Sequence, residues 1–149
     1  MVIAIAGPQV VRPPENESAD GFRCTGDVGF LSAGELVVVA RQVEKLSIRG
    51  RTMYAAEIER FVSDTFPETR PGRIGIVSFP ADGTEKIAIL AELAGTVPDK
   101  HGVERAIRLA VTREFGANPA VVRVCARGTL AVTSSGKLDR AALRDAVAR

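Results

Sequence analysis

One extended segment, residues 86–93, is apolar on both of its faces, with Ile87-Ala88-Ile89-Leu90-Ala91 as an unbroken run. A half-solvated strand alternates apolar and polar side chains, whereas a strand covered on both faces reads as a continuous apolar run. Residues 86–93 therefore belong at the centre of a sheet. Residues 73–79 read as a neighbouring strand ended by Pro80, and Ala81-Asp82-Gly83-Thr84 between the two carries the Asp-Gly signal of a tight hairpin. Residues 120–126, after Pro119, supply a third strand. Helical spacing flanks the hairpin. Ile58, Phe61, Val62 and Phe66 recur over 55–66, and Pro67 ends the run. Val103, Ile107, Ala110, Val111 and Phe115 recur over 99–115, with Gly116 as the stop. A last helix over 139–148 turns Leu143 and Val147 inward, with Asp139 as its cap or first-turn acid.

Upstream, residues 35–40 and 46–49 are short strands on either side of a charged break, closed by Gly50, and form a compact two-stranded unit. Residues 2–6 read as an apolar strand with no obvious partner nearby, an edge expected to dock within this chain or outside it, and residues 12–21, polar and with two prolines, as a linker. Thr25-Gly26-Asp27 places an aspartate after a glycine turn, where it can hold two hydroxyls or bond its own backbone. The fold class expected is α+β: a three-stranded sheet flanked by helices, preceded by a small two-stranded β unit.

At 149 residues and 46% hydrophobic, the chain can build one real core. Its net charge of +2 says little about partners, but from His101 onward nine Arg or Lys stand against four Asp or Glu. So small an excess favours a solvated basic face over an anionic ligand. With no Trp and one Tyr, bases would find little to stack on, which argues against nucleic acid. Cys24 and Cys125 are too few for a disulfide framework and form no CxxC, so reduced thiols, a cytoplasmic setting and no metal site are expected. His101 is the single histidine, beside Gly102, and nothing points to it as a catalytic base. The apolar start is far too short for a membrane span.

Thr133-Ser134-Ser135-Gly136-Lys137-Leu138-Asp139-Arg140 sets one lysine on a glycine turn among small hydroxyl residues. Read alone, it is either a surface turn before the last helix or an exposed cation for an anion, a role that suits a compact charge on a flexible stem. It is not a phosphate loop of the Gly-x-x-x-x-Gly-Lys-Ser/Thr kind, since Gly128 lies too far back and Leu138 stands where a magnesium-binding hydroxyl would be.

Taken in order, Thr25-Gly26-Asp27, Ala40-Arg41, Ile48-Arg49-Gly50-Arg51, Glu57-Ile58-Glu59 and Thr133-Ser134-Ser135-Gly136-Lys137 resemble the small C-terminal domain of the adenylate-forming enzymes. These are the acyl-CoA synthetases, peptide-synthetase adenylation domains and fatty-acyl-AMP ligases. Thr-Gly-Asp-Val-Gly-Phe-Leu, Gly34-Glu35-Leu36 and Ile-Arg-Gly-Arg-x-x-Tyr are most similar to the fatty-acyl-AMP ligases. The resemblance implies a strand and linker from a large domain over 1–21 and a C-terminal lid domain over 22–149. It implies an enzyme that joins a fatty or other carboxylic acid to the α-phosphate of ATP, with Mg2+ supplied alongside the large N-terminal domain, and passes the acyl group to an acyl carrier protein or coenzyme A.

By the same resemblance Lys137 is the catalytic lysine, with Ser135 and Gly136 shaping its loop. Asp27 and Arg41 bind the ribose of ATP or AMP, Val43 is the hinge, and Arg49 and Gly50 lie on the acceptor-side loop. Three departures stand out: the hinge position holds Val43 where Asp or Lys is usual, Ala40 replaces a Gly or Asp, and Leu130-Ala131-Val132 lacks the usual proline. The 149 residues hold neither the Ser/Thr/Gly-rich phosphate loop nor the acyl tunnel, so the chain by itself is expected to have little adenylation activity. The alternative is a non-enzymatic docking or regulatory module that binds a ligase or an acyl carrier protein.

Overall fold

Asp82 and Gly83 both take positive φ, 51° and 71°, and close a two-residue hairpin between β6 (Thr69–Ala81) and β7 (Thr84–Leu93). That turn matches the right-handed twist of the paired strands. Lys86 and Asp82 make an ion pair across it. The computed structural model describes residues 2–5, 23–41, 45–48 and 51–148. β8 (Val121–Cys125) adds to β7 in parallel, giving the order β6-β7-β8 with the doubly apolar strand at the centre, as expected.

Side chains leave this sheet with period two. Ile74 and Ile76 of β6, Ile87, Ile89 and Ala91 of β7, and Val122 and Val124 of β8 enter one core cluster. Ile58 and Val62 of α1 (Ala55–Thr65), together with Ile107 and Val111 of α2 (Lys100–Phe115), cover that cluster. Phe61 and Phe115 meet edge to face at 5.3 Å and join the two helices. On the opposite face Val77, Phe79, Ala88 and Leu90 pack with Leu130 and with Leu143 of α3 (Arg140–Ala148). Gly75 makes that packing possible, since a Cβ there would stand 2.4 Å from Leu143 Cδ1.

The helix ends follow the expected signals. Asp99 accepts from Gly102 N at 2.8 Å to open α2, and Gly116, at φ 65°, closes it with its N–H on Thr112 O. Asp139 Oδ1 accepts from Ala141 N and Ala142 N, each at 3.1 Å, so it caps α3.

The earlier strands pair differently from the sequence reading. The segments at 35–40 and 46–49 do not pair with each other. β3 (Glu35–Arg41) pairs antiparallel with β2 (Arg23–Ser32) through the Ala33-Gly34 turn, and β4 (Lys45–Ile48) belongs to a separate two-stranded sheet with β5 (Arg51–Tyr54). Strand propensity is local, but the choice of partner follows the turn, and the shorter connection wins. β1 (Val2–Ile5), expected to dock as an edge within this chain or outside it, pairs with β2. Thr25-Gly26-Asp27 lies inside β2 rather than at a turn, with Gly26 at φ 77° as a local kink.

The chain separates into two compact units, Met1–Lys45 and Leu46–Arg149. Among the described residues no helix is long and apolar enough to cross a membrane.

Candidate functional site

The lysine loop is a miniature hairpin. Val132 bridges Leu138, Thr133 N donates to Lys137 O at 2.7 Å, Gly136 N donates to Thr133 O at 2.8 Å, and Asp139 N donates to Ala131 O at 2.9 Å. Gly136 takes φ 78° to make this reversal, a conformation that costs an L side chain about 1–2 kcal/mol. The Thr133 hydroxyl meets Ser135 Oγ at 3.0 Å and Lys137 O at 3.2 Å, so the hydroxyl-rich composition bonds the turn to itself. Lys137 is exposed on the returning arm just after the turn, and among the described residues it makes no ion pair.

Three ties from other elements of the same unit hold this hairpin. Arg73 of β6 donates to Gly136 O at 2.9 Å, directly before the lysine. At the entry, Leu130 N donates to Glu92 Oε1 at 3.0 Å, and Arg70 NH1 holds Glu92 Oε2 at 2.9 Å. At the exit, Arg140 grips Glu59 with two bonds, NH1 to Oε1 at 2.7 Å and NH2 to Oε2 at 3.1 Å. The apolar residues Leu130, buried, and Leu138, partly buried, seat the hairpin stem on the core.

Glu92 is only 1% exposed. Burial pushes its carboxyl up, but the N–H groups of Leu130 and Gly128 and the Arg70 guanidinium outweigh that, and its pKa lies below the ordinary 4.5. It is therefore a charged, fully bonded carboxylate. Cys125 donates to Ala91 O at 3.4 Å, and burial, followed by the Glu92 charge, raises its pKa. A thiol held protonated in this way is a poor nucleophile. His101 is 90% exposed and pairs with Glu104 on its own helix at 3.0 Å. Among the described residues no three of His, Cys, Asp and Glu gather where they could hold a metal ion.

Within the first unit, Asp27 and Arg41 are cross-strand partners in the β2–β3 ladder, so two residues distant in sequence occupy facing positions. Thr25 braces this place, with its hydroxyl donating to Ile3 O and accepting from Asp27 N, both at 3.1 Å. Val43, Arg49 and Gly50 lie outside the described residues.

Sequence reasoning assigned no role to Glu59, Arg73, Glu92 or Arg140. Glu92 had a signal, as the one acid inside an otherwise apolar run, where a carboxylate needs partners to be tolerated. Glu59 and Arg140 lie 81 residues apart, and nothing local joins them.

No protein-family model matches the chain. FadD21 of Mycobacterium tuberculosis, named as a fatty-acid–CoA ligase, is 34% identical over 143 residues, which is 91% of this chain and 24% of FadD21. JamA of Moorena producens, a medium-chain-fatty-acid–[acyl-carrier-protein] ligase, is 34% identical over 132 residues, covering 86% of this chain and 22% of JamA. The structure of McyG A-PCP complexed with phenylalanyl-adenylate superposes with a TM-score of 0.74 at 27% identity, over 86% of this chain and 23% of that one. A structure of the fatty acyl-adenylate ligases from E. coli and L. pneumophila gives 0.71 at 27% identity, over 87% of this chain and 22% of that one. The chain thus spans about a quarter of the length of the curated relatives it matches, 24% for FadD21.

Proposed function

The chain belongs to the adenylate-forming superfamily, with fatty-acid ligases among its relatives, and we propose that it contributes the catalytic lysine to an ATP-dependent acyl-activating ligase completed by a large N-terminal domain. The observation that carries this reading is Lys137 itself. It is an exposed cation without an ion pair among the described residues, on a turn that is bonded internally and tied to β6. An amine so placed is available to an anion brought from outside the unit.

In the proposed reaction a carboxylate oxygen attacks the α-phosphorus of ATP. The bond to the β-phosphate bridging oxygen breaks, and pyrophosphate leaves. Negative charge builds on the α-phosphate oxygens, and Lys137 would sit against them, where a pre-placed cation lowers the barrier. Asp27 would take the ribose hydroxyls, with Arg41 facing it across the ladder. Magnesium would accompany ATP in the part of the site that the large domain completes. The thiol of an acyl carrier protein or of coenzyme A would then attack the acyl carbon of the adenylate and expel AMP, with Arg49 and Gly50 on the acceptor side as the resemblance implies. The relative JamA is named as a carrier-protein ligase and FadD21 as a coenzyme A ligase, so both acceptors have a precedent among the relatives.

We also assign the moving part to Leu46–Arg149. The boundary between the compact units falls at Lys45, two residues past Val43, the position expected to be the hinge. Met1–Lys45 would then be the margin of the large domain. Its exposed Phe30, Leu31, Leu36 and Val38, between 49% and 65% accessible, fit a sheet that completes its core against another body.

The test is pyrophosphate release from ATP with a panel of fatty acids. It is run with this chain alone, with a matching large domain alone, and with the two mixed. Activity confined to the mixture, and lost in Lys137→Ala, is the expected result. No gain on mixing folded partners would overturn the catalytic reading in favour of a docking or regulatory module.

A further inference from the structure

Two carboxylates, from two different elements, hold the two ends of the lysine hairpin. Glu92 projects from the central strand β7 and takes the N–H of Leu130 at the entry, across 38 residues of sequence. Glu59 projects from α1 and takes the guanidinium of Arg140 at the exit, across 81 residues. Both are mostly withdrawn from water, with side-chain exposures of 1% for Glu92 and 19% for Glu59. A withdrawn carboxylate is costly unless its oxygens are bonded, and all four oxygens here have partners.

The exit clamp does more than join two charges. Glu59 Oε1 also accepts the N–H of Ile76 at 3.1 Å, and Arg140 NH1 also donates to the carbonyl of Ile76 at 2.9 Å. One peptide position on the outer edge of β6 is thereby held from both sides, by a helix on one face of the sheet and by the head of a helix on the other. One turn further along α3, Arg144 Nε donates to Ser78 O at 3.1 Å. Four helical residues rise about 6 Å and two strand residues about 6.6 Å, so the two arginines match successive outward carbonyls. The register of α3 on β6 is set by this match, and the residue just ahead of α3 ends the hairpin that carries Lys137.

We propose that Glu59 and Glu92 are positioning residues for Lys137, fixing the two ends of its hairpin so that the amine is presented in one geometry. This rests on the reading of Lys137 as the catalytic cation. A long, exposed lysine stem gains from a rigid base, because misplacement by about 1 Å at a reacting centre costs on the order of 10²-fold in rate. Arg73, on Gly136 O, steadies the tip between the two anchored ends.

The first measurement uses this chain alone: backbone order parameters for residues 135–137 by nuclear magnetic relaxation in wild type, Glu59→Gln, Glu92→Gln and, as a control, Glu104→Gln. The expected result is a fall from a rigid value near ~0.85 to below ~0.6 in the first two variants, with no change in Glu104→Gln. Unchanged order in both variants overturns the proposal. The second measurement is adenylation with a large domain. Glu59→Gln should lose about tenfold or more in kcat, with KM for ATP within about twofold, well below its unfolding temperature. Should Glu92→Gln fail to fold, Glu59→Gln and Arg140→Lys carry the test, the latter keeping the charge but losing the two-pronged grip. Wild-type kcat in these variants, with Lys137→Ala inactive, overturns the positioning role alone. Full activity in Lys137→Ala overturns the functional reading and this proposal with it, whatever the order parameters show.

Discussion

The two outer strands of the sheet meet the same difficulty, and the carboxylates that solve it are themselves held at different ranges. β8 turns the N–H of Val124 outward, and Glu104 Oε1 from α2 accepts it at 2.9 Å. β6 turns the N–H of Ile76 outward, and Glu59 Oε1 from α1 accepts it at 3.1 Å. An open strand edge is a hazard, and each helix blunts one. The second oxygen marks the difference. Glu104 Oε2 meets the exposed His101, three residues away on its own helix. Glu59 Oε2 meets Arg140, 81 residues away, at the far end of the lysine hairpin. The carboxylate that closes the β8 edge keeps its second oxygen within its own helix. The β6 edge is closed by a carboxylate whose other partner, Arg140, stands at the exit of the lysine hairpin, so edge and hairpin share one clamp.

The largest expected effect separates the cation from both edges. Lys137→Ala should lower kcat for adenylation in the assembled enzyme by about 10²-fold or more, while thermal unfolding of this chain stays as in wild type. A matching loss of stability would mean that the lysine belongs to the β6 closure rather than to chemistry.

Next comes Gly75→Ala, which puts a Cβ 2.4 Å from Leu143 Cδ1 under α3. Overpacking there should force the Leu143 side chain to shift and cost about 1 kcal/mol or more in denaturant unfolding, while Ala at a solvent-facing site on the β8 side does not. Wild-type stability in Gly75→Ala would show that Leu143 can repack at no cost under α3.

The two edge glutamates give the direct comparison. Glu59→Gln breaks a charge-assisted, two-pronged pair and should cost about 2 kcal/mol, whereas Glu104→Gln keeps an acceptor for Val124 and should cost about 1 kcal/mol or less. Urea midpoints measure both, and equal losses would erase the distinction between a carboxylate held within its own helix and one held by Arg140.

The subtlest effect is in the pH dependence. Because the folded-state pKa of Glu92 lies below 4.5, its contribution to stability is complete above the unfolded value and is lost as pH falls through the folded one. Glu92→Gln should be less stable near neutral pH and show a flatter decline on acidification, followed by unfolding midpoints down to about pH 3. A decline as steep as that of wild type would remove Glu92 from the acid response.

The periodic part of the fold was readable because its causes are local. The doubly apolar run at Ile87 to Ala91 named the central strand, Asp82-Gly83 named the hairpin, and Gly116 named the end of α2, each by a preference that acts within a few residues. Lys137 was equally visible, since a glycine turn among small hydroxyls is a local pattern, and the hairpin 132–138 realises it. Strand partnership was not readable in the same way. β3 chose β2 through a two-residue turn, although the segment after it had an equal claim on propensity.

By itself, the sequence determined the three helices and their stops, the central hairpin and the third strand beside it, and the glycine turn that exposes Lys137, because periodicity, turn preference and capping act over a few residues; β2 and β5 were not read as strands. Only the tertiary structure decided that Asp27 faces Arg41, that Glu92 takes Leu130, and that Glu59 and Arg140 close around Ile76. Those bonds join residues brought together by sheet pairing and by burial on two faces. A charged side chain accepts withdrawal from water only where folding has already placed its partner.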